Sequence, residues 1–366
     1  MTIRIFNPEH DIALASNMER FTAPHAGRQL RSDLCYLPAL WSNDGDVVIV
    51  DDIDFAESAY RKLKAERKPV VEFCTMEQIA HVLSSSVPLA IDPWGWDLAI
   101  RFQLLSAGVP EYCLPSKEAV QEIRCLSNRQ CTTSILEKVR SGLESDTCGK
   151  SIYLTDYHFF LEHLQNGENV VVKAPWSSSG RGVRYFMRDE RTENSLNWAN
   201  NVIRLQGGIM VEPLYNKVKD FGMEFRRSAD GRVHYLGLSL FQTQNGAYTG
   251  NLLATEAVKR DIMSKYVSLG LLDEITARLE NELSDMFSML PRESAISDVR
   301  LGVDMMIVAK ENAEGFLLHP CVEINLRRTM GHVALSLSPL DDIKEGSMAI
   351  VYDTKRYHLR LKYNYM

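Results

Sequence analysis

Residues 301–331 constrain this chain most. They read LGVDMMIVAKENAEGFLLHPCVEINLRRTMG. Two apolar runs, 302–309 and 315–326, flank the polar residues 310–314, which predicts a β-hairpin. Asp304 interrupts the first run, and Glu323 and Asn325 interrupt the second. Strand side chains alternate, so Glu323 and Asn325 share a face. Closing the hairpin about its polar loop places Asp304 opposite residues 321–323, within about two residues of pairing error. Three oxygen-bearing side chains then meet on one patch of sheet. Buried carboxylates that close repel one another unless a cation holds them. Oxygen ligands with carboxylate charge suit Mg²⁺.

A second stretch, 169–186, reads NVVVKAPWSSSGRGVRYF. Two β-rich runs bracket the loop Ser177, Ser178, Ser179, Gly180, Arg181 and Gly182. A loop of small residues turns backbone N–H groups inward as a nest for phosphate oxygens, helped by glycine's freedom in φ. Lys173 places an ammonium beside it, and Arg181 adds a second charge. No GK[ST] opens a helix there, so this is not a Walker A loop. Further on, residues 209–214 (IMVEPL) form a short strand with Glu212 and Leu214. Pro213 cannot donate to a ladder, which predicts an edge or connecting strand.

The 366 residues suffice for two or three domains. Residues 1–115 alternate short apolar strands, near 3–6, 47–50, 70–73 and 89–91, with helices at 27–41, 55–66 and 76–83. This rhythm predicts an open, mainly parallel sheet whose ligands lie beyond the strands' carboxyl ends. His10 and Asp11, just past the first strand, are candidates to face a ligand. The Asp230-Gly231 pair predicts a hairpin joining strands at 223–229 and 232–241. Helices are expected at 255–268 and 271–290, the second with Leu272, Ile275, Leu279, Leu283 and Phe287 on one face. A last strand is expected near 356–363.

With a net charge of −7 and no basic block, nucleic acid is not an expected partner. No apolar run reaches a membrane span, and no signal-peptide core opens the chain. The seven cysteines are scattered and never in CxxC spacing. Reduced thiols in a cytoplasmic protein are the expectation.

In their order along residues 116–335 these pieces resemble the ATP-grasp superfamily: Arg129 in a helix, Lys173 with its serine loop, Glu212 with Leu214, Asp304, then Glu323-Ile324-Asn325. The resemblance implies an α/β (α+β) chain. A pre-ATP-grasp-like open α/β domain, 1–115, would precede two ATP-grasp subdomains, 116–208 and 209–366. It implies ATP, with Lys173 on the α- and β-phosphates and the loop closing over the triphosphate. Glu212 would accept from the adenine amino group, with Leu214 beside it, and Asp220 or Glu224 would hold the ribose. Asp304, Glu323 and Asn325 would hold Mg²⁺, or Mn²⁺ in its stead. Arg129 departs from the family's usual lysine. Arg327, Arg328 and Arg300 are the candidates to orient a substrate carboxylate, at most one of the adjacent pair facing the site. The implied activity is a ligase joining a small-molecule carboxylate to an amine through an acylphosphate; a homodimer is compatible with it. The alternatives are a small-molecule kinase with His10 or His332 as base, and a non-catalytic ATP-binding protein.

Overall fold

The computed structural model describes residues 1–83, 90–177, 182–244, 247–288, 298–311 and 313–365. The βα rhythm near the start folds as expected. β1 (Thr2–Ile5), β2 (Val47–Ile49), β3 (Glu72–Cys74) and β4 (Ala90–Pro93) form a parallel sheet in the order β3-β2-β1-β4. Leu89, expected within the last of these strands, lies outside the described residues. Asp52 and Asp97 cap the helices Ile53–Lys62 and Leu98–Ser106, accepting from Phe55 N at 3.0 Å and Ile100 N at 2.9 Å. The helix expected over 27–41 is divided into His25–Asp33 and a 3₁₀ turn, Leu37–Trp41. Pro38 has no N–H to continue the α-helical ladder.

β5 (Ile152–Leu154), β6 (Val170–Lys173), β7 (Val183–Phe186) and β8 (Ile209–Pro213) form an antiparallel sheet in the order β5-β8-β6-β7. β8 is therefore the connecting strand into the next sheet and not an edge. Pro213 occupies its last ladder position, opposite Val170, where a missing N–H interrupts least.

The rest of the chain interleaves two sheets. β9 (Lys217–Arg227) and β10 (Val233–Ser239) make the expected hairpin, with Gly231 at φ +86° in its turn. β11 (Phe241–Gln244) and β12 (Ala247–Leu253) follow, then β13 (Val299–Ala309), β14 (Phe316–Asn325), β15 (Lys344–Tyr352) and β16 (Tyr357–Tyr365). The orders are β10-β9-β13-β14 and β11-β12-β15-β16. Helix Leu269–Ser288 buries Leu272, Ile275, Leu279, Leu283 and Phe287 with Phe221, Phe225, Leu301 and Val303 of β9 and β13. Each fully buried side chain of this kind stabilises by about 1.5–3 kcal/mol. That core holds rigid the two strands that carry the site below. Among the described residues no helix is long and apolar enough to cross a membrane.

Candidate active site

The 301–331 hairpin forms in the expected register. Asp304 pairs with Glu323 and Gly302 with Asn325, and the register shifts between Asp304 and Met306. Asn325 Nδ2 donates to Asp304 Oδ2 at 3.2 Å. Burial, then Glu323 and Glu224, push the Asp304 carboxyl well above the usual range. Repulsion among acids is thus present where the alternation predicted it.

Glu224 is one of the two ribose candidates. It lies on β9 opposite Gly302, fully enclosed. Thr329 Oγ1 donates to its Oε2 at 2.8 Å, and His332 Nδ1 lies 2.8 Å from the same oxygen. Two glycines, Gly302 and Gly331, leave room for it, and Gly222 lies beside it. A Cβ on Gly222 would stand 3.6 Å from Asp304 Oδ1 and 3.7 Å from Glu224 Oε1; on Gly302, 2.7 Å from Glu224 Oε2; on Gly331, 1.8 Å from Glu224 Oε1. Asp220, the other ribose candidate, is partly exposed and receives Lys217 Nζ at 2.6 Å and Thr243 Oγ1 at 2.9 Å.

On the facing sheet, Lys173 ends β6. Its Nζ lies 2.6 Å from Glu212 Oε2, and both side chains are buried. The carboxylate expected to meet an adenine amino group is engaged by the lysine expected to meet phosphates. Leu214 N donates to Asn169 O at 3.0 Å. Arg129 joins the two sheets. Buried at the start of helix Gln130–Arg140, it donates to Ser177 Oγ at 2.7 Å and to Glu323 Oε1 at 2.5 Å, and also to Ala174 O. A Cβ on Gly182 would stand 2.2 Å from Ser177, so glycine lets the ends of the serine loop meet. Ser178, Ser179, Gly180 and Arg181 lie outside the described residues.

The arginines after the hairpin reach back to the first sheet. Arg327 grips Asp11 with a fork, Nε to Oδ1 at 2.9 Å and Nη2 to Oδ2 at 2.8 Å, and Nη1 donates to Arg328 O at 3.1 Å. Arg328 points elsewhere: Nη2 to Asp92 Oδ2 at 2.7 Å, with the guanidinium 4.8 Å from the Trp41 ring centre. The two thus diverge as extended backbone requires, but neither side chain faces solvent. Burial alone would raise the Asp11 and Asp92 carboxyls. Arg327 outweighs it at the first, and Arg328 with Arg4 at the second, so both stay below the usual carboxylate range. Arg300 pairs with Asp298 and lies beside Arg328. Burial and Arg328 lower it to about 10. Arg300 and Arg328 belong to the junction with the first sheet.

Asp11, Ser177, Glu323 and Asn325 line one small cavity. His10 does not join them. Its ring is buried, with Nδ1 3.1 Å from Asp97 Oδ2, and rests on Gly95, where a Cβ would stand 2.6 Å from it. His332 is equally committed, between Glu224 and Phe225 O at 3.2 Å.

The donor set fits a hard cation. Among the described residues no three His, Cys, Asp or Glu side chains form a metal-binding group. Two carboxylates and an amide, completed by phosphate oxygens and water, are what Mg²⁺ ordinarily takes.

No protein-family model matches the sequence, and no curated protein matches it. Solved structures do. The biotin carboxylase domain of the Hydrogenobacter thermophilus 2-oxoglutarate carboxylase, solved with MgADP, ADP and bicarbonate, superposes with a TM-score of 0.53 at 11% identity, over 95% of this chain and 74% of that one. The chain has the ATP-grasp fold. N5-carboxyaminoimidazole synthetase from Staphylococcus aureus with ADP matches at 0.48 and 12% identity, over 96% of this chain and 82% of that one. Biotin carboxylase from Campylobacter jejuni matches at 0.49 and 11%, over 98% and 77%. The chain carries Lys173 on one sheet and Asp304, Glu323 and Asn325 on another, and Arg129, at the start of helix Gln130–Arg140, bridges them.

Proposed function

We propose that this chain is an ATP-dependent ligase that joins a small carboxylate to an amine through an acylphosphate. The observation that carries the reading is Arg129. It ties the start of the serine loop to Glu323, drawing the candidate phosphate loop and the candidate metal carboxylates to one place.

In this reading Asp304, Glu323 and Asn325 hold Mg²⁺, for which Mn²⁺ substitutes. Held there, the ion would supply positive charge to the phosphates during transfer. Lys173 leaves Glu212 to meet phosphate oxygens, which frees Glu212 for the adenine amino group beside Leu214. Asp220 holds the ribose, because Glu224 is engaged by Thr329 and His332. Arg327 orients the substrate carboxylate, which competes with Asp11 for the same fork. A carboxylate oxygen attacks the γ-phosphorus and ADP leaves. The amine nitrogen then attacks the acyl carbon, phosphate leaves, and a proton passes to water. Arg328 and Arg300 act as positioning residues. Residues 1–115, 116–208 and 209–366 serve as a substrate-facing domain and the two jaws of the nucleotide site.

The kinase reading wants a base at the acceptor. His10 and His332 are both buried against carboxylates, which disfavours it. The test is an ADP-release screen over amino acids, dipeptides and small carboxylates, with amines supplied in pairs. ADP and phosphate are expected only when both substrates are present. A phosphorylated alcohol as product overturns the reading.

A further inference from the structure

The helix His10–Ser16 stands between two cavities. Asp11 lines the small one with Glu323. Glu9 and Ala13 line a larger one of about 360 Å³. The larger cavity lies where β1, β2 and β3 end, bounded by Asn7, Asp51 and Met76. Crevices beyond the carboxyl ends of parallel strands are where such sheets take ligands, and this volume lies in the ordinary range for small molecules.

Arg31 and Asp97 on its wall are paired, but among the described residues the buried Glu9 is only half matched, and the exposed Arg28 and Asp51 are unpaired. Glu9 is 9% exposed. One carboxylate oxygen accepts from Arg31 Nη1 at 2.8 Å; the other is buried and has no donor among the described residues. A buried carboxylate oxygen without a donor is costly, and an N–H on a ligand removes that cost. Arg28 and Asp51 line the same cavity, carry opposite charges, and make no side-chain hydrogen bond or ion pair among the described residues. Phe21, Met76 and Ile100 supply an apolar wall.

We propose that this cavity binds a small zwitterion of the α-amino-acid type, its ammonium toward Glu9 and Asp51, its carboxylate on Arg28, and an apolar side chain against Phe21, Met76 and Ile100. The ligand needs both signs of charge, because the cavity offers both. This site is separate from the nucleotide site and does not depend on the ligase reading.

The experiment is calorimetric titration of the full chain, without nucleotide, with each of the twenty common amino acids. L-Leucine, L-methionine and L-phenylalanine are expected to bind best. For leucine, 3-methylbutan-1-amine lacks the carboxylate and 4-methylpentanoate lacks the ammonium; each should bind at least about tenfold more weakly. Arg28→Met and Asp51→Asn alter exposed residues and should keep the wild-type melting temperature while weakening binding on the order of tenfold. The proposal is overturned if no amino acid binds, if either leucine analogue binds as well as leucine, or if both variants bind like wild type.

Discussion

Lys173 and Glu212 lie 2.6 Å apart with both side chains buried, so each is the other's main compensation for leaving water. Breaking a buried pair leaves an uncompensated charge and costs about 3–5 kcal/mol, whereas removing both members is often neutral. Lys173→Met should therefore lower stability by about that much without nucleotide, and Lys173→Met with Glu212→Leu should recover most of it. Urea unfolding decides; equal losses in single and double variants would mean the pair is not coupled. At the candidate metal carboxylates the sign reverses. Burial and its acidic neighbours push the Asp304 carboxyl up, so the charged form is disfavoured without a cation. Asp304→Asn should keep or raise stability in the absence of Mg²⁺ while abolishing ADP release, and Glu323→Gln should also abolish it. Near-normal turnover in both variants would remove the metal assignment. His319 gives a third case. Its ring nitrogens are buried and unpartnered among the described residues, and burial, then Lys173 and Arg140, lower it to about 3. The folded form stays neutral where the unfolded form, near 6.5, takes up a proton. That contribution to stability is complete above about pH 6.5 and falls by up to about 1.4 kcal/mol per unit as the pH drops toward 3. His319→Phe should flatten that part of the stability profile, and an unchanged slope would contradict the assignment.

The hairpin β13–β14 was legible because the alternation is local. Asp304, Glu323 and Asn325 sit within one supersecondary unit, and a polar residue in an apolar strand announces itself at period two. Glu224 was not legible in the same way. Its partners Thr329 and His332 lie about a hundred residues away, and no spacing rule connects β9 to the helix Met330–Leu337. The usable signal was glycine: Gly302 and Gly331 are the positions where a side chain would collide with Glu224. Gly331 is the sharpest, since its Cβ would stand 1.8 Å from Glu224 Oε1. Gly331→Ala should displace the start of that helix, cost about 1–3 kcal/mol as other overpacked positions do, and reduce turnover because Arg327 and Arg328 immediately precede it. A wild-type melting curve for Gly331→Ala would show that the helix start yields freely. The fourth sheet was missed except for its last strand, because 247–253 and 344–352 mix glycine and polar residues with the apolar ones and give no clean period.

At the scale of the molecule, two ion pairs tie the first domain to the site, Arg327 on Asp11 of helix His10–Ser16 and Arg328 on Asp92 of β4. They put one arginine beside the candidate metal carboxylates and the other against Trp41 and Arg4's partner. Their lysine variants should separate accordingly. Arg327→Lys keeps the charge and loses the fork, which should slow ADP release about ten- to a hundredfold with little change in melting temperature. Arg328→Lys loses the Asp92 geometry and the ring contact, so it should melt earlier and keep more of its turnover. The opposite pattern would reassign the substrate arginine to Arg328.

Local pattern by itself determined the parallel first sheet, the metal-type hairpin, the lysine strand and the long helix, because each is written in a period of two or 3.6 within a few dozen residues. Only the tertiary structure decided that Lys173 and Glu212 neutralise each other, that Arg129 spans two sheets, that His10 is buried against Asp97 and that Asp11 holds Arg327. Those are choices among charged partners far apart in sequence. Burial in a low-dielectric interior makes such pairings strong, but nothing in the local spacing of a charged residue says which opposite charge the fold will bring to it.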